Sequence, residues 1–177
     1  MPTSALFVAN NILSRAFDEN VNISLMKLQR LLYFTAAEYA KKTHTPLFHE
    51  NFEAWPIGPV LRTVYDKFGI YAEKPIKRFS RDAMGNKKMV DENSDEVLHV
   101  TLNKVWRAGR DLTAADLAQI AAQPDSAYTK AWFDYCNSNL LHINAKELES
   151  DTTYTEKLFR FSAGEHRTSG RCRNRSS

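Results

Sequence analysis

Cysteine is scarce in this chain, with Cys136 and Cys172 the two thiols among 177 residues. Two cysteines cannot build a disulfide framework, and this usage fits a reducing compartment. Glycine and proline are also sparse, six of each, which excludes a fibrous or low-complexity chain. No apolar run approaches the roughly 20 residues needed to span a bilayer. No basic segment followed by an apolar run stands near Met1, so neither a membrane span nor a signal peptide is expected and the protein is read as cytoplasmic. Charge of one sign is lacking too. The net charge of +3 is local to the stretch 164–177, where Arg167, Arg171, Arg173 and Arg175 face Glu165 alone. The balanced body has no global field to draw in a polyanion, so nucleic acid is not an expected partner.

Chemical signatures are equally thin. The histidines His44, His49, His99, His142 and His166 stand far apart, with no His-Glu-x-x-His and no Cys-x-x-Cys, so no metal site is expected. The glycines are single and form neither a phosphate-binding loop nor a nucleophile elbow. Cys136, among Trp132, Phe133 and Tyr135, reads as a buried inert thiol. No catalytic residue, cofactor or metal follows from these patterns, and an enzyme is not the expected class.

What is present is an ordinary globular composition, 43% hydrophobic and 25% charged, long enough for one substantial core. Ser4 can cap a first helix that carries Leu6, Ala9, Ile12, Leu13 and Ala16 at helical spacing. Ser24 can cap a second, running to about Lys42. On that helix Leu25, Leu28, Leu32, Ala36 and Tyr39 share one face, and Lys27, Arg30, Glu38 and Lys41 lie opposite. Two residues break the rule, because Gln29 falls on the apolar face and Phe34 on the polar one. A buried, unmatched amide costs roughly 1–3 kcal/mol, so Gln29 is expected to bond backbone near Trp55–Val60. Pro59 suits the first turn of a third helix carrying Val60, Val64 and Phe68. The shorter period from Lys74 to Asp91, around Met84-Gly85-Asn86, predicts a short hairpin. Further helices are expected from Ser94-Asp95-Glu96, from a capping box of Thr113 with Asp116, from Asp125 or Ser126, and from Asn144 with Glu147 to about Phe161. The expected fold is mainly α, a compact single-domain helical fold over residues 1–162 with a small β-hairpin near residues 75–90. Residues 163–177 are expected to form a basic, disordered tail.

Two segments stand out together: Met26-Lys27-Leu28-Gln29-Arg30-Leu31-Leu32-Tyr33-Phe34, and Phe52-Glu53-Ala54-Trp55-Pro56-Ile57-Gly58-Pro59-Val60 with Tyr65 five residues on. In this order and spacing they resemble the Panacea domain, the GepA-like or SocA-like phage-associated family. The close match covers about residues 20 to 70, and Leu112–Leu117 and the segment from Ile143 to Phe161 agree more loosely. The chain departs from the Thr-His and Pro-Trp that many members carry. Its corresponding region reads Ile120 to Tyr128, and only Trp132 stands near the place of the tryptophan.

The resemblance implies an antitoxin of a toxin–antitoxin system that neutralises a cognate protein toxin by protein–protein interaction. It does not name the toxin, and one branch of the family delivers its toxin to a protease. The residues matched to the family pattern are Lys27, Leu28, Gln29, Leu32, Tyr33, Ala54, Trp55, Gly58, Pro59, Val60 and Tyr65. They serve either as scaffold, locking a loop against a helix, or as partner contacts. Phe34, Phe48 and Phe52 are candidates for an exposed apolar patch that meets the toxin, which is expected to be encoded by the adjacent gene. The irregular segment from Lys74 to Val90 is a further recognition candidate, although its bases also read as a solvated edge. A DNA-binding regulator of its own operon is the competing reading. The two helices from Thr113 to Asn139 imitate a helix-turn-helix, but the second offers only Lys130 as a base and is rich in aromatics, which suits a core better than a major groove.

Overall fold

The computed structural model describes residues 2–138 and 141–160, apart from the side chains of residues 136–138. The expected tail at 163–177, Cys172 and the side chain of Cys136 lie outside the described residues. The fold is mainly helical. The elements are α1 (Ala5–Asp18), α2 (Leu25–Thr43), β1 (Glu53–Trp55), β2 (Gly58–Val60), α3 (Arg62–Phe68), α4 (Glu96–Gly109), α5 (Ala114–Ala121), α6 (Ala127–Ser138), α7 (Ala145–Ser150) and α8 (Thr155–Phe159). No described helix is long and apolar enough to cross a membrane.

The predicted starts are met by capping chemistry. The Ser24 hydroxyl accepts from Lys27 N–H, Asp95 accepts from Leu98 N–H, and Thr113 and Asp116 close a reciprocal capping box. Ser126 Oγ accepts from Thr129 N–H, and Asn144 caps α7. Ser4 behaves differently. It sits at the N-cap without bonding it, and the carboxylate of Glu50 accepts from Ala5 N–H at 3.2 Å instead. A residue 45 positions away thus satisfies the open donors of α1 and places a negative charge at its positive end.

α2 runs through the centre and touches α1, α3, α4, α5, α7 and β2. Its apolar face is buried as the periodicity implies. Its polar face is buried too, against expectation: Lys27, Arg30 and Glu38 are all under a tenth exposed. Each charged head has found a partner. The Lys27 ammonium donates to the Arg110 carbonyl, and the Glu38 carboxylate accepts from Lys104, Tyr154 and Lys41. Over Phe34 and Glu38 the covering layer is the segment Asp151–Phe159, which supplies the fully buried Tyr154 and Leu158, while the 57–59 turn covers Arg30.

That layer corrects the reading of Phe34 as a partner contact. Phe34 is wholly buried, its ring 5.1 Å from that of Tyr154. Phe48 and Phe52 are buried as well, at 5% and 3% exposure. The chain before α1 pulls the loop inward, with Thr3 N–H donating to the Leu47 carbonyl and His49 N–H to the Thr3 carbonyl. Phe52 then packs edge-on against Tyr33. The three phenylalanines are core. α6 errs in the other direction. Its aromatics read as core, yet Phe133 is 62% and Tyr135 37% exposed, and the helix buries Ala127, Tyr128 and Ala131 instead.

The named sheet falls in the second motif segment. β1 and β2 pair antiparallel with Glu53 opposite Val60, Ala54 opposite Pro59 and Trp55 opposite Gly58. Residues 141–143 flank the other edge of β1, where Ala54 N–H donates to the Leu141 carbonyl and Ile143 N–H to the Phe52 carbonyl. β1 is therefore central and β2 an edge. An edge tolerates proline, which cannot donate to a ladder, so Pro59 lies in a strand and α3 begins only at Arg62.

The 75–90 segment makes a tight turn closed by the single bridge Arg81 to Lys87. It is held to α1 by two buried asparagines. Asn10 exchanges two bonds with the Ser80 backbone and donates to the Lys88 carbonyl, and Asn11 exchanges two with Val90. These side chains satisfy backbone groups that a longer ladder would otherwise have paired.

Beside Asn11, the Glu92 carboxylate receives Arg15, Asn11 and His99. Burial alone would raise its pKa, but these donors outweigh burial and hold it down to about 2. A depressed carboxylate stabilises the fold above its unfolded pKa and loses that contribution as pH falls through the folded value. Glu92→Gln is therefore expected to cost at most about 3 kcal/mol at neutral pH and progressively less from about pH 5 towards pH 2. Urea titrations of both proteins across that range check this.

Candidate functional site

The two motif segments meet where the start of α2 faces the β1–β2 turn. Gln29 is fully buried. Its amide donates to the Leu61 carbonyl at 3.0 Å and accepts from Leu61 N–H at 2.9 Å. The expected partner is thus found one residue beyond the expected stretch, at the residue that opens α3. Gln29→Leu leaves the Leu61 N–H buried and unpaired, while the Leu61 carbonyl keeps Tyr65 N–H, so a loss of about 1–3 kcal/mol is expected in chemical denaturation.

The turn carbonyls go to Arg30 instead. This guanidinium, 1% exposed, donates to the Pro59 carbonyl at 2.7 Å and to the Ile57 carbonyl. Burial pulls its pKa down to about 10, against the Tyr128 and Tyr33 phenols, which act the other way. It therefore stays charged at neutral pH. The guanidinium lies directly against Gly58, where φ is +110° and an added Cβ would sit 2.5 Å from Nη2. Gly58 is required twice, by its backbone and by its neighbour.

The outer side of the turn is built from Glu53, Trp55, Arg62 and Tyr65. Glu53 accepts from Trp55 Nε1 at 2.6 Å and from Arg62 at 2.9 and 3.1 Å. Burial opposes ionisation of Glu53, but these donors prevail and lower its pKa. The Trp55 ring contacts Tyr65, with centroids 5.0 Å apart, and Arg62 lies over its face. The Tyr128 hydroxyl donates to the Trp55 carbonyl at 2.7 Å, joining α6 to the turn.

Of the motif residues, Lys27, Leu28, Gln29, Leu32, Tyr33, Ala54, Gly58, Pro59 and Val60 are buried, and Trp55 and Tyr65 are half-buried. Only Pro56 and Ile57 at the tip, with the rims of Trp55, Tyr65 and Arg62, reach the surface. The motif is a locked joint with a small exposed tip. Periodicity alone missed Arg30, placing it on the outer face. Its position inside the first motif segment was the available signal.

The segments that build this joint, with most of the rest of the chain, match the Antitoxin SocA-like, Panacea domain family over residues 28–153. The chain belongs to that family. It is similar to a relative named Antitoxin SocA from Caulobacter vibrioides (strain NA1000 / CB15N), at 30% identity over 117 residues. That alignment covers 64% of this chain and 62% of the relative, so the chain spans less than two thirds of the relative's length. No solved structure matches the chain.

Proposed function

We propose that this protein is an antitoxin that neutralises a cognate protein toxin by binding it directly, without catalysis, and that the toxin is encoded by the adjacent gene. Family membership over residues 28–153 carries the reading. The relative named Antitoxin SocA supports it, as does a motif whose polar groups are spent on holding backbone rather than presented to a substrate. The helix-turn-helix alternative gains nothing from α6, where Lys130 is paired with Glu147 at 2.8 Å.

Co-expression with the adjacent gene is the test. Growth should be arrested by that product alone and restored when this chain is present, with the two co-purifying at a fixed ratio. A harmless neighbour, or a neighbour that stays toxic when this chain is abundant, overturns the reading. Restored growth accompanied by protease-dependent loss of the toxin would assign delivery for degradation in place of sequestration.

A further inference from the structure

We infer that the toxin docks on the face formed by the end of α3 and the loop from Gly69 to Lys88, and that it meets this face with an acidic protein surface carrying an apolar centre. The inference rests on the antitoxin reading above and adds to it the surface and the chemistry of the partner.

Charge is segregated on this face. Between Lys67 and Lys88 seven basic residues stand against Glu73 and Asp82 alone, and all seven are exposed. The chain before residue 164 is balanced overall, so the rest of the body carries the compensating negative excess. Of the acidic residues in the run that follows, Asp91 to Glu96, only Asp91 and Glu96 are exposed. Glu92 is committed to Arg15, and Asp95 caps α4 and accepts the Tyr39 hydroxyl.

The same face carries the two most exposed large apolar side chains described, Ile70 and Met84, each at 86%. They flank one junction, because the Lys67 ammonium at the end of α3 donates to the Arg81 carbonyl at 2.7 Å. The loop between them is also held in advance. Ile76 N–H donates to the Ile23 carbonyl, Phe79 packs edge-on against Phe17 at 4.9 Å, and the buried asparagines Asn10 and Asn11 fix Ser80 and Val90. A pre-ordered loop loses little conformational freedom on binding.

An apolar centre within a charged rim is the anatomy of a protein interface. Phosphate backbones reward the lysines but have no use for Ile70 and Met84. An anionic bilayer could take both, yet two such side chains bury far less hydrocarbon than a single myristoyl chain, itself a marginal anchor. Met84 adds an adaptable side chain suited to a partner surface.

The test uses the full chain and the purified product of the adjacent gene, with affinity by calorimetry, rescue by growth and folding by thermal melting. Lys74→Glu/Lys77→Glu/Arg78→Glu should weaken binding by on the order of 100-fold, abolish rescue and leave the melting temperature nearly unchanged. The wild-type affinity should fall as salt is raised. Ile70→Asp/Met84→Asp should also lose rescue, and it carries the test if the charge variant fails to fold. Reversal of Arg107, Lys146 and Lys157, which lie elsewhere, should change affinity less than about threefold. If both face variants bind and rescue like wild type, the inference is wrong and the antitoxin reading stands. If wild type neither binds nor rescues, both fall. Retention of duplex DNA or phosphatidylserine vesicles by wild type, lost in the charge variant while toxin binding persists, would reassign the face to a phosphate-bearing partner and overturn it.

Discussion

Gly58→Ala is expected to destabilise the protein by about 3–5 kcal/mol, lowering its melting temperature by on the order of 10 °C for a chain of this size. Two costs add. A φ of +110° is a conformation that L side chains rarely adopt, and holding a non-glycine residue there costs about 1–3 kcal/mol. The new methyl would also meet the Arg30 guanidinium at 2.5 Å. That group cannot retreat cheaply, because the carbonyls of Ile57 and Pro59 hold it from both sides of Gly58. Each charge-assisted bond it gave up would forfeit about 1.5–3 kcal/mol. The contact cost should vanish once the guanidinium is removed, while the backbone cost remains. Arg30→Met/Gly58→Ala should therefore lose about 1–2 kcal/mol less than the sum of its single variants. Additive single losses in urea titration would show that Arg30 and Gly58 do not act as one joint.

Glu38→Leu is expected to cost about 2–3 kcal/mol, because the buried Tyr154 hydroxyl loses its acceptor and the part-buried Lys41 its counter-charge, while the more exposed Lys104 returns to water. The Glu38 carboxylate is 5% exposed. It accepts from Lys104 at 2.6 Å, from the Tyr154 hydroxyl at 2.7 Å and from Lys41 at 3.3 Å. Burial resists its ionisation, but the Lys104 and Tyr154 bonds and the Lys41 charge outweigh burial and lower its pKa. The contribution is accordingly present above the ordinary carboxylate range and lost as pH falls below it. In Glu38→Leu the Tyr154 hydroxyl loses its acceptor and Lys41 keeps only that hydroxyl, so Asp151–Phe159 should loosen from α2 first. Amide exchange at Leu158, whose N–H donates to the Tyr154 carbonyl, should quicken more than exchange in the centre of α2. Tyr154→Phe removes the hydroxyl's bond to Glu38 and the one it receives from Lys41 but leaves both lysines on the carboxylate, and should cost only about 1 kcal/mol. An equal loss in both variants would mean that the hydroxyl, and not the carboxylate, holds the layer.

Much of the helical frame was legible locally. The caps at Ser24, Thr113 and Asn144 act on backbone groups within three residues, and a periodic apolar face reports on one helix at a time. The site was partly legible as well. Gln29, an amide on an apolar face, demanded a buried partner, and the motif pair put that partner near the turn. Family resemblance, carried by the same residues, supplied the functional class.

Other features depend on groups distant in sequence, and no local period can show them. Arg30, Lys27 and Glu38 read as a solvent face because their own helix offers them nothing. They are buried because the 57–59 carbonyls, Arg110 and Tyr154 arrive from elsewhere. The same arrival turned Phe34 from a candidate contact into core. Phe133 shows the converse, an apolar residue left 62% exposed because nothing described covers it fully. The place of the sheet was decided likewise. The turn at Gly58 is local, but β1 became a central strand only when residues 141–143 supplied its second edge. Sequence alone determined where most helices begin and that Gln29 needed a partner, but it placed Pro59 and Val60 in a helix and ran one helical region through the break at residues 151–154. Tertiary structure decided which faces are covered, because a polar group is stable in the interior only when its partner is brought to it through space.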